Sequence, residues 1–590
     1  MGKNNNNVIK VKDYPYNFVS LGENVINKGE RVLGKNTGIL KCKLRTYSPL
    51  FIMGERNVSE SGHSEEYFLK ENGNYIIPSS TLKGEIRTII EVLTNSVIRN
   101  VETERLEKRL KPNKEQLVSY GIIKSLPKDG VDGIIKLAKK IKIKREILKN
   151  GLGEKFDENG KIMRIYMKKN IKKYKEITDE YEFKKLLCNK DNPEKIVVTI
   201  WSSSKRPKAI YEKILVETDE VLYKFSKNEL DDLEYLIKQR SKRDDNDKKE
   251  KKDFYYKPKK DKNKDDFFKL KENDPIIIYK SNEKSPEYLA FSEIPRLRYK
   301  LAPLDLIPPK FRPSNSLKNL SFSEKLFGTT GNHNEKSESK ELTSISGRVF
   351  FSDAKLKEDK AKFIKKDPIT LKPFGEPHPT LLSFYLIKDG NYDDEKSRIR
   401  GRKFYWHHEN KIEKRYESYS NSITMNSREA YNSSLQLLDY GNEFDFDVCF
   451  NNLTDEELGV LIYSLELEEG LLHKVGKGKA FGFGSSKITI VEALKENDNK
   501  YQKFSKNKIY DSKLDKEKYI EDSKKEYIDE KRKNIKELKA ILSVKNGLNF
   551  EKSPFPEEKD KNGWNTLAWF TNRRNNKIIL ETISEIMNIK

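Results

Sequence analysis

The chain is 590 residues long, room for roughly four average domains or for one or two carrying large insertions. Only 35% of its residues are hydrophobic while 36% are charged, so part of the chain must lie solvated outside any core. A formal charge of +24 favours nucleic acid as partner, and three scattered cysteines (Cys42, Cys188, Cys449) without a C-x-x-C pair support neither a disulfide framework nor a structural zinc site.

Lys, Asn and Ile are abundant throughout, which also suits plain compositional bias, so charge alone does not decide the partner. Residues 1–35 form a polar leader without a signal-type apolar core, and no run approaches a membrane span. A cytoplasmic protein with no metal and no cofactor is expected. Within the leader, Tyr14 to Val19 is an aromatic anchor onto the body.

Alternation of apolar and polar residues predicts a strand over 38–47. A polar loop follows at 55–74, and then Ser79, Ser80 or Thr81 caps an apolar-periodic helix running to Val97. Lys83 and Arg87, four apart, share one face of its first turns, where cations beside unsatisfied N–H groups make an anion site. The plainer reading of the pair is a solvated basic face. Residues 101–320 read as a large insertion, with strands at 195–201, 209–216, 274–279 and 294–299 and a mobile loop of mixed charge at 240–266. The scaffold resumes with a short helix ending at Gly328 and a strand over 346–354.

The excursion 358–432 carries Arg398, Arg400, Arg402 and Lys403 beside Phe404, Tyr405, Trp406, His407 and His408. Cations for phosphates next to rings for bases suit single-stranded nucleic acid; the alternative is an aromatic cluster pinning the excursion to the body. Strands follow within 434–451, and Thr454 with Glu457 opens a capped amphipathic helix. Next comes a loop with Gly476, Gly478, Gly482 and Gly484 interleaved with Lys474, Lys477, Lys479, Phe481 and Phe483. Such a loop can bring backbone amides against a phosphate while its lysines add charge and its phenylalanines stack; the alternative is a turn that binds nothing. Its setting is helix, loop, strand, whereas dinucleotide and P-loop sites run strand, loop, helix. Residues 496–590 form a C-terminal helical segment docked through aromatics near its end.

Without the insertions the order is strand, helix, strand, strand, helix, strand, so the expected fold class is α+β, a ferredoxin-like (RRM-type βαββαβ) domain made of 36–100, 321–357 and 433–495. Ile77 to Arg87 at the first helix, Leu326-Phe327-Gly328 before Gly347 to Ala354, and the terminal glycine loop together resemble the RAMP superfamily of CRISPR-associated proteins. Within it, the chain is most similar to long backbone-type subunits of type III effector complexes. The resemblance covers about 14–100 and 275–495. It implies an RNA-binding subunit that holds guide RNA by its backbone and presents it to target RNA beside other effector subunits, with Ser79, Ser80, Lys83, Arg87 and the glycine loop on guide phosphates and 358–432 in the place of a thumb. Cleaving relatives carry an aspartate between the first strand and first helix. Residues 53–76 here hold no Asp, only glutamates and His63, so target cleavage is not expected. Glu60, His63 and His473 remain the candidate catalytic residues. A metal-independent endoribonuclease acting on CRISPR precursor RNA through His473 or His407/His408, and a general single-strand RNA chaperone, are the competing readings.

Overall fold

The computed structural model describes residues 8–26, 28–60, 63–109, 117–153, 162–201, 211–246, 269–280, 287–290, 296–330, 344–371, 379–408, 433–497, 509–548, 555–560, 563–573 and 576–589. The chain divides into two compact units: Met1–Thr103 with Leu301–Lys590, and Glu104–Lys300.

In the first unit the scaffold elements are β1 (Asn36–Thr46), α1 (Ser79–Leu93), β2 (Val349–Phe351), β3 (Ala354–Lys357), β4 (Glu443–Leu453), α2 (Asp455–Glu466) and β5 (Ser485–Glu496). Across the sheet they run β5, β1, β4, then β2 and β3, each pair antiparallel. Period-two patterning sets the faces. Leu40, Cys42 and Leu44 of β1 and Phe444, Phe446, Val448 and Phe450 of β4 point into one core. Leu82, Ile86, Ile89, Ile90 and Leu93 of α1 and Leu458, Leu461, Ile462 and Leu465 of α2 fill that same core at helical spacing.

The outward residues form a charge ladder. Lys41, Lys43 and Arg45 lie in register with Asp447, Asp445 and Glu443, with ion pairs Lys43–Glu443 at 3.0 Å and Lys41–Glu492 at 2.7 Å. This part of the sheet, unlike an RNA-stacking β-surface, presents opposite charges that neutralise one another.

The expected polar loop at 55–74 is instead a hairpin, Met53–Val58 against Ser64–Phe68, followed by the strand Asn74–Ile77. Ser64, Glu66 and Phe68 all turn inward, and Glu66 can do so because Lys477 neutralises it from far along the chain. Helix α1 also differs in detail. It starts at Ser79 after Pro78 with no capping side chain of its own; the Ser79 N–H donates instead to Asp353 Oδ1 at 2.7 Å. Helix α2 carries the expected box, with Thr454 Oγ1 accepting from Glu457 N at 3.2 Å and Glu457 Oε2 accepting from Thr454 N at 3.0 Å.

The leader strand Tyr16–Val19 pairs antiparallel with Arg402–Tyr405, and Tyr14, Tyr16 and Phe18 pack with Phe384, Leu580, Trp569 and Phe570. Helices Lys516–Tyr527 and Lys533–Leu542 add Tyr527, Ile535, Leu538 and Ile541 to the main core, a deeper engagement than docking by aromatics alone.

The second unit is built on an eight-stranded sheet whose longest members are Gly133–Lys144 and Tyr211–Phe225, antiparallel to each other. Ile141, Ile143, Val198, Ile200 and Ile214 pack there against Ile147, Leu148, Phe183 and Leu186. The expected insertion extends too far at its end. Residues 301–320 belong to the first unit, where Ile307 and Phe311 pack with Ile98 and Leu320 bridges to Gly29. Of the charged stretch 240–266, residues to Asn246 continue the helix Lys227–Asn246, and 247–266 lie outside the described residues.

Replacing Thr454 with Ala should cost about 1 kcal/mol through the lost cap, read as a lower urea midpoint at unchanged slope. An unmoved midpoint would mean that the box contributes nothing.

Candidate nucleic-acid interface

The glycine loop is packed against the protein's own backbone. Gly484 has φ +80°, and a Cβ there would stand 1.8 Å from Val475 O; at Gly476, φ +84°, it would stand 2.5 Å from Phe51 O. Only glycine fits such close approach in the left-handed region. Several amides expected to face a phosphate donate to protein carbonyls instead: Lys477 N to Phe51 O at 3.0 Å, Gly482 N to Lys479 O at 3.1 Å and Gly484 N to Pro49 O at 2.7 Å. Gly478 and Gly482, both left-handed, bracket the short turn between them. The stacking role expected of Phe481 and Phe483 is corrected, because both rings are buried, at 7% and 1% exposure.

The loop lysines are likewise held by the protein. Lys474 is buried, with Nζ donating to Gly482 O at 3.1 Å and Ser485 Oγ at 3.0 Å. Burial, with Lys479 nearby and Glu85 opposing, lowers its ammonium to about 7. Lys477 pairs with Glu66, and Lys479 reaches Glu85 at 3.4 Å.

Arg402, Phe404, Trp406, His407 and His408 of the excursion are buried, which corrects the expectation that they meet RNA, while Arg400, Lys403 and Tyr405 are half-buried and Arg398 is exposed. Arg400 donates to the carbonyls of Leu386, Leu580 and Ser383. Arg402 pairs with buried Glu91 and donates to Ser96 O. Lys403 sits 3.7 Å from the Tyr16 ring centroid and 5.2 Å from that of Tyr405, and burial lowers it to about 8. Trp406 is 1% exposed. The cause is the leader strand, which covers this segment and which nothing near 398–408 announces. Residues 372–378 and 409–432 of the excursion lie outside the described residues.

The candidate catalytic residues are dispersed. His473 is fully buried with Nε2 donating to Leu465 O at 2.8 Å, and burial lowers its pKa. His407 is buried too. Its Nε2 faces Leu472 O at 3.1 Å and must carry the proton, so Nδ1 accepts from Ser485 Oγ at 2.8 Å. Glu60 is exposed at the hairpin turn, and half-buried His63 has Nε2 2.9 Å from Ser434 Oγ. Among the described residues no group of three or more His, Cys, Asp or Glu could hold a metal ion.

What the structure does gather lies on α1. Ser80, Gly84 and Arg87 share one face by their spacing. Ser80 is exposed, and a Cβ added at Gly84 would meet nothing within 4 Å. Lys83 and Arg87 stand 5.8 and 5.1 Å from the Phe327 ring centroid. Arg99 completes the group, donating to Gly328 O and to Thr330 Oγ1. Burial first, then repulsion from Arg87 and Arg99, lowers the Lys83 ammonium. Burial also lowers Arg87, against the attraction of Glu91. Arg87 Nε is buried without a hydrogen-bond partner among the described residues. On another side of the helix, Glu85 Oε1 accepts from Lys474 N at 3.1 Å. The first turns of α1 thus lie between the glycine loop and three clustered cations. The Ser79 N–H is already taken by Asp353, so an anion here would meet side-chain cations and the open Gly84 surface rather than that amide. Arg99 and Phe327 were not anticipated as site residues. Phe327 stands inside the quoted Leu-Phe-Gly motif; Arg99 carries no local signal.

Residues 43–489 match the family model described as RAMP superfamily. No curated protein matches the sequence at a significant level. Among the described residues no helix is long and apolar enough to cross a membrane.

Two outcomes follow from the interior charges. Arg402→Met should destabilise by about 3–5 kcal/mol by leaving Glu91 buried and unpaired, and adding Glu91→Leu should recover most of that loss in urea unfolding. If the single variant is as stable as wild type, the pair is not structural. Lys474 has a folded value of about 7, below its ordinary 10.5. Between these the unfolded chain holds a proton that the folded chain lacks, so stability rises with pH across that window, by up to about 1.4 kcal/mol per unit. Urea unfolding at pH 7, 8 and 9 should show this rise in wild type and its reduction in Lys474→Met; parallel curves would contradict it.

Proposed function

The chain belongs to the RAMP superfamily of CRISPR-associated RNA-binding proteins, and on that premise we propose that it is the backbone-type subunit of a type III effector complex, holding guide RNA by its phosphates and offering its bases to target RNA. The β5–β1–β4–β2/β3 order with α1 and α2 on one core supports reading the scaffold as a ferredoxin-like platform.

The observation that carries the proposal is the Lys83, Arg87 and Arg99 cluster beside the open Gly84 surface. Three cations that repel one another, with buried Glu91 as the carboxylate acting on Arg87, favour an incoming anion. A phosphodiester lying along Ser80 and Gly84 would approach the helix closely and meet Lys83 and Arg87. In this reading the glycine loop shapes and stiffens the wall of the site, and its lysines serve the protein first. Contacts to phosphate read backbone and shape, leaving sequence choice to base pairing. The endoribonuclease reading needs a histidine that reaches a 2′-hydroxyl, and the burial of His473 and His407 counts against both.

Lys83→Ala with Arg87→Ala should weaken binding of repeat-derived guide RNA and reduce the slope of log affinity against log salt by roughly 1.4, about 0.7 for each lost phosphate contact. RNA of one repeat-derived length should co-purify with wild type. An unchanged slope, or co-purified RNA of mixed length and origin, would contradict the proposal.

A further inference from the structure

Beyond the phosphate site, the first unit carries an exposed aromatic pair at one end of the sheet. Tyr47 follows β1 and is 48% exposed; Tyr440, in the turn before β4, is 59% exposed. The backbone brings them together, since Gly441 N donates to Thr46 O at 2.8 Å. Alternation along β1 turns Leu44 and Thr46 inward and Arg45 and Tyr47 outward, and the Arg45 guanidinium lies 6.0 Å from the Tyr47 ring centroid. The expected stacking rings Phe481, Phe483 and Trp406 are buried in this unit, whereas Tyr47 and Tyr440 stand open, as does Phe350 at 49% elsewhere on the sheet.

Their place is contiguous with the glycine loop. Tyr47 N donates to Ser485 O at 2.7 Å, and the segment that follows holds the loop through Pro49 O and Phe51 O. The loop is itself held to α1 through Glu85, so a continuous set of contacts links the tyrosines to the helix that carries the proposed phosphate site. A ring with a guanidinium beside it offers a nucleobase a π-face and a cation together. Deeper in the sheet the ladder of Asp445 and Asp447 against Lys43 and Lys41 disfavours a phosphate track, which confines the contact to this end.

We infer that Tyr47 and Tyr440, with Arg45, form a stacking site for an unpaired base of single-stranded RNA whose backbone is held at α1. The inference rests on the RNA-binding reading above. It is tested with full-length protein and single-stranded RNA carrying 5-iodouridine, by photocrosslinking with peptide mapping and by affinity at several salt concentrations. Crosslinks should map to Tyr47 or Tyr440. Tyr47→Ala with Tyr440→Ala should weaken single-strand binding by at least about tenfold without changing the salt slope, and Tyr47→Phe with Tyr440→Phe should restore it. If wild type binds RNA but the alanine variant binds equally well and no crosslink falls here, the stacking site is wrong while the phosphate site stands. If wild type binds no RNA, both fall. If the alanine variant keeps its RNA affinity and loses a co-purifying protein, the pair is a protein-docking surface, which overturns the inference.

Discussion

One carboxylate joins the two parts of the chain on which the site depends. Glu85, in the second turn of α1, accepts from Lys474 N at 3.1 Å and from Lys479 Nζ at 3.4 Å, residues nearly four hundred positions away. That link holds the glycine loop against the first turns of α1. Because Glu85 faces the loop, it does not neutralise Lys83 and Arg87 on the other side of the helix. Lys83, Arg87 and Arg99 therefore act on one another, and burial sharpens the effect.

The same logic explains why so many cations in a chain of charge +24 are not offered to a partner. Lys477 neutralises Glu66, Arg402 neutralises Glu91, and Arg400 ties three carbonyls together. A buried pair of this kind adds little net stability over an apolar replacement, yet losing one member is costly. These contacts thus specify how the leader, the excursion and the loop come together. Basic clusters in the sequence are a poor guide to basic surface when their partners are distant carboxylates and carbonyls.

Legibility in the sequence follows the range of the interactions. The alternation of β1, the Thr454–Glu457 box of α2 and the strand 195–201 depend on neighbours a few residues away and were readable. The Lys83/Arg87 pair was readable as helical spacing. The hairpin at 53–68 was not, since Glu66 turns inward only because Lys477 meets it. Nor was the burial of Arg402 and Trp406, which depends on the strand Tyr16–Val19. The glycines were read correctly as permitting close approach, but what approaches is the protein's own backbone: Phe51 O at Gly476 and Val475 O at Gly484.

The central claim, that RNA lies along α1 and not across the charge ladder of the sheet, is tested most directly by acetylating the lysines of the full-length protein with and without bound RNA and mapping them by mass spectrometry. RNA should shield Lys83 while Lys41, on the ladder, reacts as before. Shielding of Lys41 with Lys83 still open to acetylation would place the RNA backbone on the ladder instead of along α1 and contradict the account.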